Sequence, residues 1–444
     1  MLKRVGWWML LMLPLSVAAM ADSHVRIVRL SSVEGSVQMD RNTGQGYEKA
    51  FLNMPVVQGA VLATKADARA EVEFEDGTTL RLTPDSTLEF TELALRDAGP
   101  RASTLTLKTG QMYLNFRGSQ KGEEFTVLFA GERMRLTEEA HFRIDVAPDT
   151  AEVAVFKGEV NVEGAAGTAE LSKGKSATFD LTDGDKFSIA KNIEEDPYDE
   201  WDKQQAKYHD QYAKSSSYNS YPYGYGVSDL NYYGNYYNVP GYGMMWQPFF
   251  TGVGWNPYMD GAWVFYPGFG YTWVSSYPWG WMPYMYGGWN YVSGYGWMWA
   301  PGNWSNWTSL PRVTTPPNRN FGPPRPPNRG TATVVVGRGL TAASAIPPRR
   351  VLVTPGTAGL GVPRGVSNLR KVSGQVEKSG FATVQTAPPN RSIWSNSNPG
   401  YGTSTTAAPH GTSSGSMGRT SSPPMRTGGM SSGGGGRVSA PPHR

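Results

Sequence analysis

Between Gly234 and Trp299 seven positions recur three times in register, with a period of 26 or 27 residues. Each unit runs from a glycine to an aromatic, then an apolar or aromatic residue, a Gly-aromatic-Gly step and a tryptophan. Unit one is Gly234, Tyr236, Val239, Gly241, Tyr242, Gly243 and Trp246, and unit two is Gly261, Trp263, Tyr266, Gly268, Phe269, Gly270 and Trp273. Unit three is Gly287, Trp289, Val292, Gly294, Tyr295, Gly296 and Trp299. A fixed period of this length means one small structural unit used repeatedly. Aromatic residues flanking a glycine-containing turn make short hairpins, and the prolines of Asn256-Pro257-Tyr258 and Met282-Pro283-Tyr284 limit further pairing.

Eleven tryptophans lie between Trp246 and Trp307, where Leu, Ile and Val are few. A buried Trp removes about 150–250 Å² from water, worth about 4–6 kcal/mol at most, so most of these rings must themselves form the core. Trp246, Trp273 and Trp299 stand at equivalent places and are expected to face inward. Trp255, Trp281, Tyr258 and Tyr284 are expected to supply an exposed face for sugar rings or another subunit.

Charge divides the rest of the 444 residues. From 308 to 444 there are sixteen Lys or Arg and one acid, Glu377, whereas the first 307 residues hold 25 bases and 36 acids. The Pro, Gly, Ser and Arg of 308–444 lack the apolar spacing that offsets chain entropy, so this tail is expected to be disordered. Val334 to Val336 and Val351 to Val353 are short exceptions able to add a strand. At the other end, Lys3 and Arg4 precede an apolar run that closes on Ala19-Met20-Ala21, the pattern of a signal peptide cleaved after Ala21. The chain contains no cysteine, which excludes disulfides, thiolate chemistry and a lipoprotein anchor.

Residues 25–190 alternate apolar and polar, with turn signals every eight to twelve residues, as half-buried strands do. Ala70, Val72 and Phe74 share a face, and after Asp76-Gly77 the same face returns at Leu80 and Leu82. Residues 194–214 instead predict one linker helix, with Asp196 as its cap, Pro197 in the first turn and Tyr198, Trp201, Tyr208 and Tyr212 near one side, which packs on the β domain or caps the module that follows. The fold class is therefore mainly β: an all-β domain, a linker helix, hairpin repeats over 229–307 and the tail.

Most of 33–180 resembles the FecR domain, the periplasmic part of iron-dicitrate-type sigma-factor regulators. The likeness rests on Gly35-Ser36-Val37, Gly59-Ala60-Val61-Leu62-Ala63-Thr64, the hairpin from Ala70 to Ser86, Leu107-Lys108-Thr109-Gly110-Gln111 and Val155-Phe156-Lys157-Gly158-Glu159-Val160. It implies the β fold and a protein-contact role in the periplasm. Regulators of that family carry a cytoplasmic helical domain and a membrane helix ahead of this domain. This chain has a cleavable leader there, and Ala140-His141-Phe142 where relatives often place Gly-Thr before the aromatic. The aromatic repeat resembles an uncharacterised one that follows FecR domains in bacterial proteins, a likeness that implies no activity.

Chemistry-bearing residues are sparse. His24, His141, His209, His410 and His443 have no metal-ligand spacing. Asp180, Asp183 and Asp185 crowd one turn, but a calcium loop beginning there would need an acid where Lys191 stands. Gly411-Thr412-Ser413-Ser414-Gly415 matches a nucleophile-elbow string without the strand and helix it requires. The sequence reads as no enzyme, with no catalytic, metal or cofactor-binding residues and no cofactor. Two functions follow: an exported envelope binding or scaffolding module contacting protein and polysaccharide, or a self-assembling matrix protein. A role accessory to FecR-type signalling is a third. Export would direct the basic tail to anionic polymers or lipid headgroups rather than nucleic acid.

Overall fold

The computed structural model describes residues 26–95, 100–213, 226–266, 270–301, 334–335, 349–365 and 367–386. The leader, the nucleophile-elbow string and most of the tail lie outside the described residues.

Strands from Val28 to Ala190 form two sheets that share one long strand, Arg101–Phe116. Its first half pairs with Thr87–Leu95 and, in parallel, with Glu124–Phe129. Its second half pairs with Thr79–Leu82 and Ala140–Val146 in the other sheet. The changeover falls at Gly110, whose φ of 80° is left-handed. A Cβ at Gly110 would lie 2.6 Å from Ser86 Cα and 2.7 Å from the Asp85 carbonyl oxygen, so the strand can cross between sheets here only with glycine.

The apolar faces read from alternation pack inward. Val72, Leu80, Leu114, Phe142 and Val155 sit in register on consecutive strands and are all buried. On the opposite face Glu71, Arg81, Tyr113 and Arg143 form a matching row. Alternation suggests that such a row faces water, but all four side chains are buried.

Helix α1, Asp199–Ala213, covers part of that row. Its entry is a reciprocal cap: Tyr198 N–H donates to Asp196 Oδ1 at 2.8 Å, and Asp196 N–H donates to Asp199 Oδ2 at 2.9 Å. Trp201 and Tyr208 are buried, with the Arg69 guanidinium 4.8 Å from the Trp201 ring centroid. The aromatic side of the helix meets both neighbours: Trp201 lies against the β domain, and Tyr208 and Tyr212 lie against Tyr232 at the start of the repeats.

Each aromatic repeat is a hairpin: Gly234–Val239 with Gly243–Pro248, Gly261–Tyr266 with Gly270–Ser275, and Gly288–Val292 with Gly296–Ala300. Units one and three join into one four-stranded sheet through the pair Trp246↔Trp299. Its central row is Tyr236, Trp246, Trp299 and Trp289, equivalent positions meeting across the junction. Trp246 and Trp299 are fully buried. Trp273 departs from the inward expectation and is half-buried, because the hairpin of unit two pairs with neither of the others.

Among the described residues of the tail, Val334–Val335 and Val351–Val353 lie in strands, as the two short exceptions within 308–444 allow, while the folding of the rest of 349–386 goes beyond that expectation. Strands Arg349–Val353 and Ala382–Thr386 pair around the helix Leu369–Ser379, and Val334–Val335 adds to the same small sheet. The reason is that Val351, Val353, Leu360, Val362, Leu369, Val376 and Val384 are buried, an apolar set spread too widely among Pro, Gly and Arg to show as a period.

Candidate functional site

Two features organise the chemistry: a buried ionic network and an aromatic surface patch. The network begins with Glu71, which accepts from Arg81 Nε at 2.8 Å, Ser31 Oγ at 2.7 Å and Arg364 Nη1 at 2.7 Å, and lies 2.9 Å from His209 Nε2. Arg81 reaches on to Asp202 of α1 at 2.7 Å, and Asp202 in turn pairs with His141. Asp229, on the short helix α2, Val227–Tyr233, accepts from Tyr208 Oη, from Arg364 Nε at 2.9 Å and Nη2 at 2.8 Å, and pairs with Arg29 at 2.7 Å. The side chains of Arg29, Glu71, Arg81 and Asp229 are wholly shielded from solvent.

Burial alone would raise each carboxyl's pKa. At Glu71 burial is outweighed by His209, Arg81 and Arg364, and the group is held well below the usual carboxylate range. Asp229 is likewise lowered, burial being overcome by Arg364 and Arg29. At Glu73 burial prevails over His209 and Arg29, and the pKa is raised.

The network fastens the β domain to the repeats. Arg29 Nη2 donates to the Pro278 carbonyl at 2.7 Å and Nε to Asn53 Oδ1 at 3.0 Å. Asn53 Nδ2 donates to the carbonyls of Ser275 and Tyr277 at 2.9 and 2.8 Å. Arg41 adds a bond to the Phe265 carbonyl at 2.6 Å, with its guanidinium 4.9 Å from the Tyr266 ring centroid. None of Arg29, Glu71, Asp202, His209 or Asp229 was a site residue on sequence grounds. A charged residue on the polar face of a strand or helix gives no sign of what will cover it.

The aromatic patch is built around Tyr258 and Tyr284. Tyr258 and Tyr284 come together, ring centroids 5.5 Å apart, and Tyr258 is 49% exposed. Trp273 lies 5.4 Å from Tyr258 and 5.7 Å from its cross-strand partner Trp263, both indoles half-buried. Trp255 and Trp281, expected on this face, are instead 5% and 0% exposed. Trp255 donates its indole N–H to Tyr277 Oη at 3.0 Å and packs against Trp279 and Trp289, so its equivalent place between units is in the core. Sequence reasoning missed Trp263 and Trp273 as surface residues. The repeat shows equivalence between units but not which unit stands apart.

Among the described residues no group of three or more His, Asp or Glu could hold a metal ion. No helix among them is long and apolar enough to cross a membrane.

Two sheets that share a strand are thus joined through buried ion pairs to an aromatic hairpin module. The FecR protein family matches residues 60–161, and the Family of unknown function (DUF6600) matches residues 227–316. An N-terminal FecR region and a separate aromatic-rich region are thus both present. No curated protein matches the chain. Two crystal structures of a candidate anti-sigma factor from Parabacteroides distasonis ATCC 8503, at 2.50 and 1.65 Å resolution, are similar at 16% and 17% identity. Each match has a TM-score of 0.26 and covers 30% of this chain and 59% of the other. The chain therefore spans 59% of the length of the solved proteins it matches.

Proposed function

We propose that this chain is an exported, non-catalytic scaffold of the bacterial cell envelope, which contacts protein through its FecR region and polysaccharide through the patch Tyr258, Trp263, Trp273 and Tyr284. The observation that carries the reading is the buried ionic joint, because it sets two chemically different surfaces at one fixed geometry. The FecR match supports a periplasmic protein-contact role. The leader sequence supports export.

The polysaccharide part rests on ring chemistry. Between 226 and 301 the only charged residues are Asp229 and Asp260. Asp229 is buried, and Asp260 accepts from Tyr277 Oη at 3.0 Å. The patch is therefore aromatic and nearly uncharged, suited to the apolar faces of neutral sugars. Trp279 and Trp289 support it from the core side, each with its ring centroid 6.0 Å from that of Tyr284. Titration of the full-length chain with soluble neutral glucan, followed by Trp fluorescence, tests this: Tyr258→Ala with Trp263→Ala should weaken binding at least about tenfold, the loss of about 1.4 kcal/mol. Equal binding by variant and wild type, or none by either, would remove the polysaccharide role.

A further inference from the structure

Arg364 sits in a socket whose every wall is accounted for. Its guanidinium meets Glu71 Oε1 at 2.7 Å, Asp229 Oδ1 and Oδ2 at 2.9 and 2.8 Å, and the Ser31 carbonyl oxygen at 2.7 Å. One face of it lies 5.3 Å from the centroid of the Tyr208 ring. Two buried carboxylates, one carbonyl and one aromatic face together match the planar five-donor fork of arginine; a lysine ammonium could not reach the same set. The residue comes from outside both family-matched regions, which end at 161 and 316.

The segment that delivers Arg364 carries two strands and a helix. Strand Arg349–Val353 pairs with Ala382–Thr386, and the helix Leu369–Ser379 between them is capped by Asn368, whose side chain accepts from Lys371 N–H at 3.2 Å. The turns leading to Arg364 lie along the aromatic module. Gly356 N–H donates to the Phe250 carbonyl at 2.6 Å, Trp279 Nε1 to the Ala358 carbonyl at 2.6 Å, and Tyr233 Oη to the Val362 carbonyl at 2.7 Å. Main-chain bonds, the buried side chains of Leu360 and Val362 and one arginine therefore form the attachment, and none of them requires that both sides belong to one molecule.

We propose that this is an arginine-recognition socket whose second occupant is Arg364 of another copy of the chain, so that copies assemble by exchanging residues 349–386. Three observations support exchange. The sequence from 302 to 333 joins the segment, with its added strand Val334–Val335, to the module, a length that reaches on the order of 100 Å when extended. The segment carries Arg349, Arg350, Arg364, Arg370, Lys371 and Lys378 against Glu377 alone, while the socket is lined by two acids. The contacts made in exchange repeat those made within one chain, so the cost is only that of bringing two molecules together. Attachment within one chain has an effective concentration in the millimolar range, so exchange prevails where the protein is densely held or is refolded at high concentration.

Two measurements test this. A synthetic peptide of residues 349–386 should bind the full-length Arg364→Ala chain saturably, and the same peptide carrying Arg364→Lys should bind at least about tenfold more weakly. Absence of peptide binding, or equal binding by both peptides, overturns the socket. Second, two differently tagged wild-type chains unfolded together and refolded at rising concentration should yield mixed dimers, seen by native mass spectrometry. Monomers at every concentration overturn the second copy as occupant, whatever the peptide does. Should the Arg364→Ala chain fail to fold, this second measurement decides alone.

Discussion

Glu71 and Glu73 stand two residues apart on the strand Arg69–Glu73, and burial leaves them with opposite effects on stability. Glu71 is over-compensated by cations and its pKa lies below the ordinary value. Its stabilising contribution is thus complete above the unfolded value, near 4.3, and is lost as the pH falls through the lower folded one. Glu73 has its pKa raised, so its charged form opposes folding at neutral pH, and that penalty disappears below its ordinary value. Glu71→Gln should destabilise by about 3–5 kcal/mol at pH 7, because Arg81 and Arg364 lose a buried counter-charge. Glu73→Gln should fall within about 1 kcal/mol of wild type or exceed it. Urea unfolding at pH 7 and pH 4 checks both; equal losses at pH 7 would refute the account, and the Glu73→Gln difference should shrink at pH 4. Neither role was legible beforehand. Val72 and Leu80 announce their burial by alternation, but Glu71, Glu73 and Arg81 carry the polar half of that same alternation and are buried as deeply.

Among the elements, the strand Arg101–Phe116 depends most on one residue, since its passage between sheets bends at Gly110. Gly110→Ala should cost more than about 2 kcal/mol, from the left-handed backbone and the collision with Ser86 and Asp85. Gly174 supplies the control: its φ of 86° is also positive, but a Cβ there meets nothing within 4 Å. Gly174→Ala should cost only about 1 kcal/mol, and thermal melts with equal shifts at the two positions would refute the steric part of the argument. At this scale much could be read from sequence. Asp-Gly and Gly-aromatic-Gly steps placed hairpins, because a turn needing positive φ has few residues to choose from. Helix α1 followed from Asp196, Pro197 and its aromatic side. The segment 349–386 did not follow, because its folding depends on neighbours: Leu360 and Val362 find apolar partners only once the repeats are in place. Trp255 and Trp281 failed for a related reason, since a repeat marks equivalent positions without saying which side its units will join.

The whole molecule joins a β domain, against which Trp201 of α1 is packed, to a module built on tryptophan, and in a Trp201→Phe background this separation lets their coupling be measured. The joint consists of Arg29 and Asn53 reaching the backbone at Ser275, Tyr277 and Pro278, with Arg29 also paired to Asp229. These bonds are buried, so separating the two parts would strand charged and amide groups away from water, at about 1–3 kcal/mol for each neutral group and more for the charges. Such a cost makes separate unfolding unfavourable, and wild type should show one transition in which Trp fluorescence and far-UV circular dichroism coincide. Replacing Arg29 by Met and Asn53 by Ala removes the donors while keeping much of the arginine's packing volume. Asp229 retains Arg364 and Tyr208 in that variant, so the module keeps its own charge balance. The double variant should therefore unfold in two steps, with Trp fluorescence reporting the module at a different midpoint from the β-sheet signal. Coincident curves for the variant would mean that the contacts it keeps, Arg41 on the Phe265 carbonyl and Tyr208 on Asp229 among them, suffice to couple the two parts. Separated curves already present in wild type would mean that the ionic joint positions the module without making the two unfold as one.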